Sequence, residues 1–190
     1  MKKNSINYLG DNLSISDFLK SIAAKYKINQ SIKHKFSEKM DFSYQFKKAN
    51  TILVLMPEEE VDFHHSIKLL DYLNQQSKNV TIMTKDFRVS LINPKLRQGL
   101  IEYEIRDISK IKLPKKKLLA KLCEKNFDVV IDLNRNENLF YSFAVLQTKS
   151  KLKIGFKKKN SDKFYNFQVA FNGKEPEETY KYLVNCLQMF

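Results

Sequence analysis

Glycine and proline are scarce in this 190-residue chain, with four of each. So few breakers exclude a low-complexity or disordered chain and argue against a loop-rich β protein. Cysteine is scarcer: Cys123 and Cys186 stand alone. Two cysteines make neither a disulfide framework nor a zinc-ligand pattern, and their apolar helical surroundings predict two buried thiols. Long hydrophobic runs are missing too, and none reaches the length of a membrane span. No apolar stretch follows Met1-Lys2-Lys3-Asn4. The expectation is a cytoplasmic protein, with peripheral contact at the inner face of the membrane left open.

Positive charge is what the chain has in excess. Lys and Arg number 34 against 21 Asp and Glu, a net charge of +13. Such a field attracts polyanions: nucleic acid, anionic lipid or a phosphorylated saccharide. The excess is almost all lysine, so compositional bias accounts for part of it. The hydrophobic fraction of 43% is ordinary for a globular domain. A chain of this length buries a core without covalent staples.

Residues 1–48 read as a basic helical arm. Ser14 and Asp17 have the spacing of a capping box. Ile15, Phe18, Leu19, Ile22, Ala23 and Tyr26 then recur at helical spacing, with Lys20, Lys25 and Lys27 off the stripe. The expectation is a helix packed on the main domain, with membrane binding as the alternative. A second basic stretch follows, in which Lys33, His34, Lys35, Lys39, Lys47 and Lys48 alternate with Phe36, Phe42, Tyr44 and Phe46.

Residues 49–190 read as one domain. Apolar runs at 52–56, 80–83, 101–105, 127–133, 152–156 and 167–171 predict six strands. Helical patterns at 61–76, 114–125, 138–148 and 177–189 lie between or after them, and Val89–Arg97 is short and irregular around Pro94. Strands alternating with helices imply right-handed crossovers and a parallel sheet in the order 3-2-1-4-5-6. The fold class is therefore α/β, a single Rossmann-like sheet with helices on both faces and a helical N-terminal arm. Lys157, Lys158, Lys159 and Asn160 are expected as an exposed loop before the last strand.

In such a sheet ligands bind beyond the carboxyl ends of the strands, where strand order reverses. The loops 57–62 and 134–138 should flank that crevice. The first contains Glu58, Glu59 and Glu60 and no glycine, so it lacks a dinucleotide or phosphate fingerprint. No cofactor is expected. Asp62 beside His64 and His65 is an arrangement suited to acid–base work, while acidic residues also stabilise a helix N-terminus. No further ligand at a recognised spacing joins the two histidines, so no metal is expected. Asp132, at the end of the fourth strand, either reaches the crevice or ties down the following loop through hydrogen bonds.

The segment Phe127-Asp128-Val129-Val130-Ile131-Asp132-Leu133, then a helix, then Lys153-Ile154-Gly155-Phe156, resembles the family-nine glycosyltransferases, which include the lipopolysaccharide heptosyltransferases. Ile52-Leu53-Val54-Leu55 matches that family's opening strand, and Val61-Asp62 falls on its Gly-Asp pair. The resemblance covers about residues 50–190. It implies the N-terminal, acceptor-side half of a two-domain GT-B enzyme of lipopolysaccharide biosynthesis. It also implies that Asp62, the one residue carried over from the family, serves as the base toward an acceptor hydroxyl; His64, His65, Asp132, Asn134 and Arg135 are candidate substrate-binding residues by their place in the two loops. Val61 in place of glycine departs from the pattern. The chain ends where that family's donor domain begins, so the expectation is no transfer by this chain alone, since transfer needs both substrates in one cleft.

Three readings follow. One is a half-domain that binds an anionic saccharide or lipid acceptor, or completes a cleft with a partner chain. The second is a non-enzymatic nucleic-acid-binding protein using the basic arm and its aromatics. The third is an assembly subunit docking through its loops and arm.

Overall fold

The computed structural model describes residues 14–32, 40–173 and 175–190. Lys33, His34, Lys35, Phe36 and Lys39 of the second basic stretch lie outside the described residues.

The apolar runs form strands that pair side by side. β1 (Thr51–Leu55), β2 (Asn79–Lys85), β3 (Leu100–Tyr103), β4 (Val129–Asp132), β5 (Leu152–Phe156) and β6 (Phe167–Val169) make one sheet in the order β3-β2-β1-β4-β5-β6. Every pairing is parallel. Parallel strands are buried on both faces, which is why β1 and β4 read as continuous apolar runs. Ile52 through Met56 are all fully buried. Asp128 fixes the start of the central pair: its Oδ2 accepts from the amides of Asn50 and Thr51 and from the Thr51 hydroxyl, each at 2.9 Å. The Thr51 and Asn50 amide bonds hold the Asp128 carboxyl below its usual range.

The two-residue period of a strand sorts the core into two layers. Ile52, Val54 and Met56 face α3 (Glu60–Gln75) and α6 (Pro176–Gln188), packing with Phe63, Leu70, Leu73, Tyr180 and Leu183. Phe46 of α2 (Phe42–Lys48) joins that layer. Leu53 and Leu55 face α4 (Lys116–Cys123) and α5 (Leu139–Gln147), packing with Leu118, Leu122, Phe143 and Ala144.

α1 (Ile15–Ser31) lies over the second layer. Ser14 caps it, accepting from the Asp17 amide at 3.2 Å. The helix packs on the domain as expected, but through its opposite face: Ala24 and Ile28 enter the core, and the large apolar stripe points outward. The small side chains of Ala24 and Ser21 allow a close approach that Phe18 and Tyr26 would prevent.

Three other details differ from the sequence reading. Cys186 is buried, but Cys123 is exposed at the end of α4, its Sγ donating to the Gln147 carbonyl at 3.4 Å. Pro114 precedes α4 instead of opening it, and pairs with Ile108 in an isolated antiparallel bridge. Lys158 turns inward from its loop, while Lys157 and Lys159 are exposed.

Candidate functional site

The switch point lies between β1 and β4, and the two loops leaving it are bound to each other. After β1 the chain runs Pro57-Glu58-Glu59 into α3; after β4 it runs Leu133 to Asn138 into α5. The Glu58 amide donates to Asn134 Oδ1 at 3.0 Å, and Asn138 Nδ2 donates to Glu58 Oε2 at 2.6 Å. Lys85, at the end of β2, holds the other Glu58 oxygen at 2.8 Å. Arg88, buried and stacked against Phe63 and Phe87, donates to the Pro57 carbonyl at 2.8 Å. The sequence points to these loops but not to Lys85 and Tyr103, the last residues of β2 and β3, nor to Arg88 in the turn after β2.

Asp62 sits in the first turn of α3 and is 2% exposed. Its Oδ1 accepts from Arg135 Nε at 2.8 Å, a charge-assisted bond across the two loops. The Tyr180 hydroxyl donates to the Leu133 carbonyl at 2.6 Å beside this pair. Burial first, and the Asp62 charge second, push the Tyr180 phenol upward.

Asp132 is more completely occupied. Oδ1 accepts from the Asn134 amide at 3.0 Å and from Asn134 Nδ2 at 2.7 Å. Oδ2 accepts from the Tyr165 hydroxyl and from Lys158 Nζ at 3.4 Å. Lys158 also donates to the Asn134 carbonyl at 2.7 Å and lies over the Tyr165 ring. Four donors fill the four lone-pair sites of a carboxylate. Burial, then the Asp132 charge, push the Tyr165 phenol well up. Asn134 and Arg135 thus serve the two aspartates, and the structure brings Asp62, Asp132, Asn134 and Arg135 together. His64 is exposed and edges the Phe63 ring at 6.2 Å, and His65 is half-buried further along α3. Among the described residues no group of three His, Cys, Asp or Glu side chains is placed to hold a metal ion. Among them, too, every buried side-chain polar atom has a hydrogen-bond partner.

An open cavity adjoins this network on the α1 side. About 480 Å³ in volume, it lies between Asp17, Ser21 and Ala24 of α1, Glu58, Tyr103, and the Glu137–Phe140 start of α5. Tyr103 and Phe140, both buried, meet at a tilt along its inner wall with ring centroids 4.9 Å apart. The Tyr103 hydroxyl is paired to that of Tyr141 at 2.6 Å in the core, and burial raises both phenols. The lining carries Asp17, Glu58 and Glu137; Lys20 and Lys112 pair with Asp17, and Lys85 pairs with Glu58. Asp17 and Lys112 are ion-paired at 3.2 Å at the rim.

A larger cleft of about 750 Å³ opens at the amino-terminal edge of the sheet. Lys48, Lys149 and Lys151 line it with Tyr44 and Phe127.

A model of the family described as a family of unknown function (DUF6913) matches residues 20–190. The chain belongs to that family. No curated protein matches it significantly. Among solved structures it is similar to the E. coli heptosyltransferase WaaC with ADP-2-deoxy-2-fluoro heptose, at 16% identity and a TM-score of 0.53 over 74% of this chain and 49% of that one. A second structure, E. coli WaaC with ADP, gives 17% identity and a TM-score of 0.49 over 72% and 46%. The chain spans about half the length of the heptosyltransferase it matches. At this identity the likeness is one of fold: this DUF6913 member has a GT-B glycosyltransferase-like, Rossmann-like sheet.

Proposed function

We propose that this chain is the acceptor-side half of a GT-B-type arrangement that binds a hydroxyl-rich saccharide without transferring it. The observation that carries the reading is the cavity beside the switch point. The Glu137 carboxylate and the remaining acceptor sites of Glu58 accept from hydroxyls, and Tyr103, Phe140 and Leu139 add apolar lining. With Asp17 held by Lys20 and Lys112 and Glu58 held by Lys85, the cavity carries little net charge, and an uncharged saccharide suits it.

The carboxylate network supports a binding role over catalysis. A general base needs an oxygen directed at the proton it abstracts. Asp132 has its four acceptor sites filled, and Asp62 is buried against Arg135. Catalysis at Asp62 in the manner of the resembling family would require the Arg135 bond to open. A donor nucleotide sugar would be presented by a partner chain or domain facing the same edge.

Calorimetric titration of the chain tests this. Uncharged heptoses and hexoses should give saturable heat that Glu137→Ala reduces, and ADP-sugars should give none. Micromolar binding of an ADP-sugar by this chain would refute the half-site reading.

The alternative, a nucleic-acid-binding protein, rests on the basic cleft at the amino-terminal edge, where Lys48, Lys149 and Lys151 surround Tyr44. Affinity for random RNA that falls steeply with salt and is lost in Lys149→Glu would favour it.

A further inference from the structure

α1 carries two unlike faces. Asp17, Ser21, Ala24 and Ile28 turn to the domain, and Ala24 and Ile28 are 1% and 3% exposed. On the far side Ile15, Phe18, Leu19, Ile22 and Tyr26 form a continuous stripe, exposed by 80%, 58%, 59%, 49% and 66%. A soluble surface helix normally does the reverse, burying its large apolar residues. Leaving this stripe in water has a cost that an apolar phase would remove. The stripe is a convex ridge, so its complement is a surface the ridge sinks into.

The charges around it identify that surface. Lys25 and Lys27 stand on either flank of the stripe, and α1 carries three lysines, with Lys20, against the single carboxylate Asp17. The turns at the same carboxyl edge of the sheet add exposed Phe87, Leu91 and Ile105. Exposed Arg106, Lys110, Lys112 and Lys115 accompany them, Arg106 paired with Glu104 and Lys112 with Asp17, so Lys110 and Lys115 carry the excess. α1 reaches this edge, because Asp17 pairs with Lys112. The required partner is thus apolar below and anionic at its surface. A second copy of the chain would bring the same charge of +13 and be repelled. No helix among the described residues is long and apolar enough to cross a membrane, so the contact lies in the interface plane.

We propose that α1 docks the protein onto an anionic lipid bilayer, with Ile15, Phe18, Leu19, Ile22 and Tyr26 entering the acyl boundary and the flanking lysines meeting the headgroups. The docking holds whether or not a saccharide enters the cavity.

Vesicle flotation with the full chain tests this. The protein should float with vesicles of phosphatidylcholine mixed with phosphatidylglycerol, and stay behind with phosphatidylcholine alone. The combined Phe18→Ser, Leu19→Ser, Ile22→Ser variant should lose at least tenfold in partitioning with an unchanged thermal midpoint. A second pair on the same stripe, Ile15→Ser with Tyr26→Ser, should behave alike, and Lys25→Glu with Lys27→Glu should weaken binding at fixed salt. The proposal is overturned if the native chain fails to float, or if both stripe variants float as well as it does. It is also overturned if sedimentation shows the stripe closing a dimer that the serine variants dissociate while vesicle binding is absent.

Discussion

Lys153 is the most unusual ionisable group in the core. It lies on β5, is 7% exposed, and donates to the Val145 carbonyl at 2.8 Å at the end of α5. Burial lowers its pKa to about 8 from an ordinary value near 10.5. Because the folded value lies below the unfolded one, the unfolded chain binds more protons between them, and stability rises with pH across that window. Unfolding free energy should increase by about 1.5 kcal/mol from pH 8 to pH 9.5, measured by urea melts, and Lys153→Met should remove that slope. The Asp62–Arg135 pair makes a second test. Arg135→Ala leaves a buried carboxylate without that partner and should cost about 3 kcal/mol in the same assay. The tie between these two residues was not readable from sequence. Position 62 stands at a helix start, where an acid is equally explained by the macrodipole, and its partner is 73 positions away.

At the scale of elements, β5 depends on the absence of a side chain at Gly155. A Cβ there would stand 2.7 Å from the Tyr165 ring, whose hydroxyl serves Asp132. Gly155→Ala should therefore destabilise by about 1–3 kcal/mol through overpacking, and a lowered midpoint in thermal unfolding checks it. α1 gives the opposite contrast between its faces. Phe18→Ser should change stability by less than about 0.5 kcal/mol, whereas Ile28→Ala should cost about 2 kcal/mol, both read from denaturant midpoints. Strands were legible because Ile52–Met56 and Val129–Leu133 are uninterrupted apolar runs that only a doubly covered strand explains. The orientation of α1 was not. Periodicity identifies a stripe but not what covers it, and here the stripe that packs holds Ser21 and Ala24. Lys158 was misplaced for a similar reason: a lysine run reads as solvated, and nothing local signals that one member reaches back to Asp132.

At the scale of the whole molecule, sheet order followed from the alternation of strands and helices, and with it the edge where the site lies. The adjacency of the loops after β1 and β4 is therefore legible in the sequence. The cavity was not, because its walls come from α1, the turn after β3 and the start of α5, which are far apart in sequence. The two openings lie at opposite edges of the sheet: a cleft lined by Lys48, Lys149 and Lys151 at the amino edge, and a cavity whose carboxylates are mostly ion-paired at the carboxyl edge. That separation lets one measurement decide between the two functional readings. Titrating the ¹⁵N-labelled chain with an uncharged heptose or hexose should move the amide resonances of Ser21, Glu58, Asn138 and Leu139 together and leave those of Lys48, Asn126 and Ser150 in place. Shifts gathered at the latter group, or none at saturating sugar, would contradict the account.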